Sequence, residues 1–233
     1  AALVAAMVLG NRKGFPNQAM PPHNMTLSIM GAGMLWVGWF GFNGGSALAA
    51  NGDAGMAMLV THISAAAGAC TWMLLERINH GKASALGAVP GMVAGLGTIT
   101  PASGFVGPGG GLIIGLSAGF VCYYATGYIK RTLKIDDSLD VFPVHGVGGI
   151  LGTLLTGVFA SNALGVFSGQ EDIVIGAQVS TQAIGIVSSI VYTAVVTFGI
   201  LKVTDALVGN RVDEEDEMQG LDLVSHDERG YDI

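Results

Sequence analysis

Residues 83–129 contain no Asp, Glu, Lys or Arg. A surface helix of a water-soluble domain needs a polar face, and so long an uncharged run denies one to several consecutive elements. Shorter gaps of the same kind lie between Lys13 and Asp53, Asp53 and Glu76, Asp140 and Glu171, and Asp172 and Lys202. Only 12% of the chain is charged, against about 25% in soluble domains, and the mean hydropathy is +0.58. The chain therefore reads as membrane-spanning. A bilayer crossing takes about 20 apolar residues, so 83–129 is too long for one helix, and Ser103, Gly104, Gly107, Pro101 and Pro108 divide it in two. Six full spans are expected, roughly at 25–48, 54–75, 84–100, 109–129, 141–160 and 176–201. The fold class is all-α, a polytopic membrane helical bundle. Residues 1–10 read as the end of a seventh helix. With no initial Met and no signal-peptide pattern, the expectation is the C-terminal part of a longer protein.

The basic residues fix a sidedness. Arg12 and Lys13 lie in the first loop, Arg77 and Lys82 in the third, and Lys130, Arg131 and Lys134 in the fifth; Lys202, Arg211 and Arg229 follow the last span. The second, fourth and sixth loops have none. All ten Lys and Arg thus fall on one side, which the positive-inside rule makes cytoplasmic. That predicts a multi-pass protein of the plasma (inner) membrane with a cytoplasmic C-terminus. Residues 208–233 carry nine acids and two bases, enough to account for the net charge of −7. The chain divides into a transmembrane part, 1–207, and an acidic tail, 208–233, too charged to fold alone.

Cys70 and Cys122 both fall in spans and give neither a disulfide framework nor a metal site. No phosphate-binding loop, dinucleotide fingerprint or nucleophile elbow is present. No cofactor, metal or nucleic acid is expected. Gly87, Gly91 and Gly95 recur every four residues, as do Gly111, Gly115 and Gly119, while Gly148, Gly149 and Gly152 follow His145. Such seams let neighbouring helix backbones approach closely.

Leu35, Trp39, Phe42 and Ser46 are spaced i, i+4, i+7, i+11 and share one helix face. Spacing fits a conduit wall, where aromatic faces attract cations, and equally a packing stripe. Val141 and His145 also share a face. An ionisable group in a span is costly and commonly functional, though a core histidine bonded to a hydroxyl or carbonyl has the same pattern. Asp140 is expected to N-cap this helix, with Pro143 in the first turn where a missing N–H is harmless. His62 is expected in helix packing or an interface, and His23 and His80 as solvated loop groups.

The segments Gly38-Trp-Phe-Gly-Phe-Asn-Gly-Gly-Ser46, Asp140-Val-Phe-Pro-Val-His-Gly-Val147, Thr98-Ile-Thr-Pro-Ala-Ser-Gly104 and Gly220-Leu-Asp-Leu-Val-Ser-His-Asp-Glu228 closely resemble the ammonium transporter (Amt/Rh) family, in the family's order and over the whole chain. The resemblance implies eleven transmembrane helices built as two inverted repeats around a pore in each subunit of a homotrimer. This chain would supply the end of helix 5 through helix 11 and the tail. It implies that His145 is one of the pore's twin histidines, that Trp39 stands beside it, and that Phe42 belongs to the gate. Ser46 would serve the outer recruitment site, Leu35 and Val141 would line the pore, and Thr100 would lie near it. His62 would not be the twin partner. The tail, through Gly220, Leu221, Asp222, Ser225 and His226, would be regulatory and support docking of a trimeric PII-type protein.

A bare cation in a dry apolar pore costs many kcal/mol, so this lining implies recruitment of ammonium, loss of its proton near the gate, and passage of ammonia with a histidine relay. The rival is a membrane ammonium sensor. An intramembrane hydrolase, which is an enzyme, needs paired acids or a metal cluster in the spans, and the sequence offers neither.

Overall fold

The computed structural model describes residues 1–162 and 173–230. Among them the regular elements are helical: α1 (Ala2–Leu9), α2 (Met25–Gly45), α3 (Gly52–His80), α4 (Ala85–Ile99), α5 (Pro108–Gly127), α6 (Gly148–Phe159), α7 (Ile175–Val208), α8 (Glu214–Gln219) and α9 (Leu221–His226). Two wide π-turns interrupt the series, Tyr128–Thr132 after α5 and Phe142–Val147 before α6. Each expected span coincides with a helix or with a π-turn and its helix. Met25–Gly45, Gly52–His80, Pro108–Thr132, Phe142–Phe159 and Ile175–Val208 are long and apolar enough to cross a bilayer, while α4 is a shorter apolar helix of 15 residues. Most of the sixth expected loop, Ser161–Asp172, lies outside the described residues.

The termini of these helices follow local chemistry. Asn24 accepts from Leu27 N–H at the start of α2, Asn51 from Asp53 and Ala54 at the start of α3, and Ser84 from Gly87 at the start of α4. Gly81, at φ 79°, closes α3 in the left-handed region that glycine tolerates.

The core is α3 sandwiched between α4 and α5, and the two glycine seams make both contacts. A Cβ on Gly91 would stand 2.8 Å from Gly68 O, and one on Gly95 would run into Ser64 O. On the opposite flank a Cβ on Gly115 or Gly119 would stand 2.5 Å from Ser64 O or 2.6 Å from Gly68 O. Ser64 and Gly68 of α3 are thus pressed from both sides. Ser64 Oγ donates to Gly95 O at 2.8 Å, satisfying a buried hydroxyl across the same contact. Gly148 and Gly152 repeat the device between α6 and Thr98 of α4.

The basic loops converge at one end of the bundle. Arg12 reaches Asp136 after α5, and Arg211 after α7 donates to Leu9 O (2.8 Å) and Asn11 O (2.9 Å). At that end Asn79, His80, Lys130 and Arg131 line one cavity. His80, exposed at the end of α3, has a ring nitrogen 3.2 Å from Tyr123 Oη. The sidedness read from charge is therefore a physical end of the molecule.

The tail is seated against the rest of the chain. It forms α8 and α9, separated by Gly220 at φ 101°, and is pinned to the body. The basic loop residues Arg12, Lys13 and Lys130 have different partners. Lys13 holds the tail, through Nζ to Glu214 (2.8 Å) and N–H to Glu217 (3.0 Å). Arg12 is committed to Asp136 and Lys130 to Asp140. The tail's own Arg211 bonds Glu217 at 2.7 Å, which holds that carboxylate below its ordinary range, with a lesser contribution from the Lys13 amide.

Candidate functional site

Three of the expected site residues form one continuous array. Trp39 of α2 lies against Phe42, with ring centroids 5.9 Å apart and planes at 57°. Trp39 also stacks on His145 of the π-turn, 6.4 Å between centroids and 15° between planes. Thr100, at the end of α4, fixes the indole: Trp39 Nε1–H donates to Thr100 Oγ1 at 2.8 Å, while the Thr100 hydroxyl donates to Leu96 O at 2.8 Å. With its N–H bound to Thr100, Trp39 meets Phe42 and His145 through its ring.

The remaining site residues flank the array. Leu35 and Phe42 are 46% and 62% exposed on the face they share with Trp39. Ser46 Oγ donates to Phe42 O at 2.6 Å, which ties the hydroxyl to the exposed end of the stripe. Val141 is half-buried and His145 exposed. The face is thus apolar along its length, with one imidazole and one hydroxyl on it.

His62 belongs elsewhere. Its ring contacts Trp36 (5.2 Å) and Phe40 (5.9 Å), and with them and Gly33 it lines a small apolar niche along another edge of α2. The separation of His62 from the Trp39 face agrees with the sequence expectation. Trp36 and Phe40 had a readable signal in their i, i+4 spacing, but it was masked by the adjacent and stronger Trp39 stripe.

The cap of the His145 segment is a correction. Asp140 does not supply it: its carboxylate is paired with Lys130 at 2.8 Å, and its backbone lies at φ 55°. Asp137, three residues earlier, accepts from Val141 N–H (3.0 Å) and Phe142 N–H (2.6 Å). The left-handed turn at Asp140 directs its side chain towards Lys130 and lets the Asp137 carboxylate reach the first amides. Pro143 does lie in the first turn as expected. A second residue missed in the sequence is Asn43, buried beside the array, whose amide donates to Thr61 Oγ1 at 2.8 Å and ties α2 to α3.

The neighbouring Asp136 is buried, and Arg12 grips it with Nε (2.7 Å), Nη2 (2.8 Å) and its backbone N–H (2.9 Å). The side-chain hydrogen bonds of Arg12 hold its carboxyl below the usual range, against the opposing effect of burial. Among the described residues no group of three or more His, Cys, Asp or Glu is arranged to hold a metal ion.

The Ammonium Transporter Family profile matches residues 1–231. The chain belongs to the Ammonium Transporter Family. It is 45% identical over 238 residues to a putative ammonium transporter of Methanothermobacter thermautotrophicus, covering 99% of this chain and 56% of that relative. It is 44% identical over 236 residues to ammonium transporter Amt1 of Archaeoglobus fulgidus, covering 99% of this chain and 58% of the relative. Among solved structures, Mep2 of Saccharomyces cerevisiae aligns with a TM-score of 0.82 at 36% identity, covering 91% of this chain and 50% of that one. A structure titled "Sensor Amt Protein" aligns with a TM-score of 0.86 at 31% identity, covering 96% and 56%. The chain spans about half the length of the relatives it matches. Family and helices together make it part of a multi-pass membrane protein with the ammonium transporter type of helical bundle.

Proposed function

We propose that the protein carrying this chain moves ammonium or ammonia across the plasma membrane along the face formed by Phe42, Trp39 and His145. The observation that carries this reading is the Phe42–Trp39–His145 stack, an imidazole held against an aromatic wall on an otherwise apolar face. The relatives' printed names support it. Aromatic ring faces attract a cation, and Ser46, at the exposed end, supplies a hydroxyl for recruitment. Beyond Phe42 an intact ammonium ion meets apolar surface, where transfer of a bare charge costs many kcal/mol, so the proton must leave the nitrogen. A neutral imidazole has one donor and one acceptor. His145, with the partner histidine that the family resemblance implies, can therefore hold ammonia and relay the proton. Leu35 and Val141 keep the path dry, and Thr100 keeps Trp39 flat against the path.

In the full-length protein, currents driven by ammonium on a solid-supported membrane test this. His145→Ala should abolish or change them, Phe42→Ala should loosen selectivity, and Ser46→Leu should weaken recruitment. Unaltered currents and ammonium and methylammonium uptake in all three would refute the reading.

A second role is signalling, favoured by the likeness to the structure titled as a sensor. We propose that the protein is a homotrimer with its C-terminus in the cytoplasm, and that the tail is regulatory. Its contact residues would be Gly220, Leu221, Asp222, Ser225 and His226, and its partner a PII-type protein. The pinning of α8 to the 9–13 segment supports a seated tail. Deleting the chain from Gly220 onward should leave the protein in the membrane and reduce transport or PII capture. Equal capture and equal transport would make the tail a passive extension.

A further inference from the structure

We propose that Asp137 is a positioning residue for His145, acting as the anchor that sets the angle of the imidazole-bearing turn; the inference rests on the functional reading given above. The turn Phe142–Val147 is wound more widely than an α-helix, and π-turns recur at functional sites because they displace one side chain from its helical phase. Such a turn persists only if its ends are held. Its opening amides have no acceptor within the helix. Val141 and Phe142 donate to the two oxygens of Asp137, Pro143 has no N–H, and Val144 donates to Asp140 O at 3.0 Å. Every opening donor is thereby accounted for, and a single carboxylate accounts for two of them. Asp137 is 5% exposed, so water does not substitute readily.

The other end of the turn is fixed by packing. Gly148 and Gly152 sit against Thr98 with no room for a Cβ, and Gly97 in the same helix faces His145 Nδ1. His145 lies between these two fixed points. Asp136, one residue before the anchor, is clamped by Arg12, which holds the segment leading into Asp137. Without the Asp137 acceptors the first turn has two unpaired amides and a proline, and its nearest remedy is to rewind or fray. Either change rotates His145 off the Trp39 face.

The test uses full-length protein in proteoliposomes, with flux measured per assembled protomer over a range of ammonium concentrations. Asp137→Leu should cut maximal flux by about tenfold or more, the scale expected when a reacting group is misplaced by about 1 Å. The half-saturating concentration should hold, because the Ser46 end is untouched, and the preference for ammonium over methylammonium should shift in the same direction as in His145→Ala. Asp137→Asn keeps one acceptor oxygen and replaces the other with an NH2 group that cannot accept from the second amide, so its flux should lie between those of leucine and the wild type. Asparagine as inactive as leucine would overturn the inference, because the retained acceptor would then contribute nothing. Normal flux in Asp137→Leu beside impaired flux in His145→Ala would overturn it too. If Asp137→Leu does not accumulate, Asp137→Ser against Asp137→Asn decides: serine below asparagine supports the anchor, and serine with wild-type flux removes it. An unaffected His145→Ala would refute the functional reading itself, and this inference with it.

Discussion

The α3–α4–α5 layer and the α2–His145 face are adjacent and are built by opposite means. In the layer, backbones touch. Glycines remove the side chains between helices, and what remains is van der Waals contact with Ser64 O, Gly68 O and their neighbours. In membranes, where lipid tails offer apolar groups no worse a home, such close packing is a main source of helix association. The α2 face is side chains on side chains: an indole N–H to a hydroxyl, a ring on a ring, a buried amide to Thr61. The first construction fixes distances and offers no chemistry. The second offers chemistry and depends on the first for its footing, since Thr98, Thr100 and Gly97 of α4 support His145 and Trp39.

Several substitutions separate the two constructions. The largest effect is expected from Gly95→Leu in the seam. The new side chain has only backbone to displace, and overpacking of this kind should cost about 3 kcal/mol or more. Thermal unfolding in detergent reads it, and an unchanged midpoint would mean that α3 and α4 are free to separate. Next is Thr61→Val, which strands the buried Asn43 amide and should cost about 1–2 kcal/mol. In the same assay it should loosen α2 from α3 while leaving the seam's contribution intact.

Acid tests the clamp beside both regions. The folded pKa of Asp136 lies below the ordinary carboxylate value of about 4. Its pairing with Arg12 therefore adds stability that is complete above that value and is lost as pH falls through the lower folded value. Arg12 is partly exposed, so the contribution should be roughly 1 kcal/mol or less. Limited proteolysis of the 10–20 segment at pH 7 and pH 3 should show faster cleavage in acid, and Arg12→Ala should abolish the difference. The smallest change in stability is expected from Trp39→Phe, which removes the bond to Thr100. Such bonds average about 0.6 kcal/mol within membranes, so unfolding should barely move while methylammonium uptake changes. A variant whose stability fell as far as that of Thr61→Val would make Trp39 a packing residue.

The sequence made the layer legible because its rule is periodic. Glycines at 87, 91 and 95, and at 111, 115 and 119, can face one neighbour only by sharing a helix face, and the charge gaps placed the helices. Gly68 was hidden, since its partners lie on other helices and it has no glycine four residues away. The stripe Leu35, Trp39, Phe42, Ser46 was legible for the same periodic reason. The cap was not. Asp140 stands immediately before the helix, where an N-cap belongs, and nothing local reveals that it takes a positive φ and pairs with Lys130 while Asp137 reaches forward. The π-turn over Phe142–Val147 was equally hidden. The tail's attachment depended on which of several like charges meet, and composition cannot rank these.

The proposed path runs along the Trp39 face and not along the Trp36 face. Each holds a histidine against aromatic rings, His145 on the first and His62 on the second. Ammonium flux per protomer, measured side by side in proteoliposomes for full-length His145→Ala and His62→Ala, compares them directly. The account predicts that His145→Ala abolishes or redirects flux and that His62→Ala leaves it near the wild-type value. Loss in His62→Ala with normal flux in His145→Ala would place the path on the other face and contradict the account.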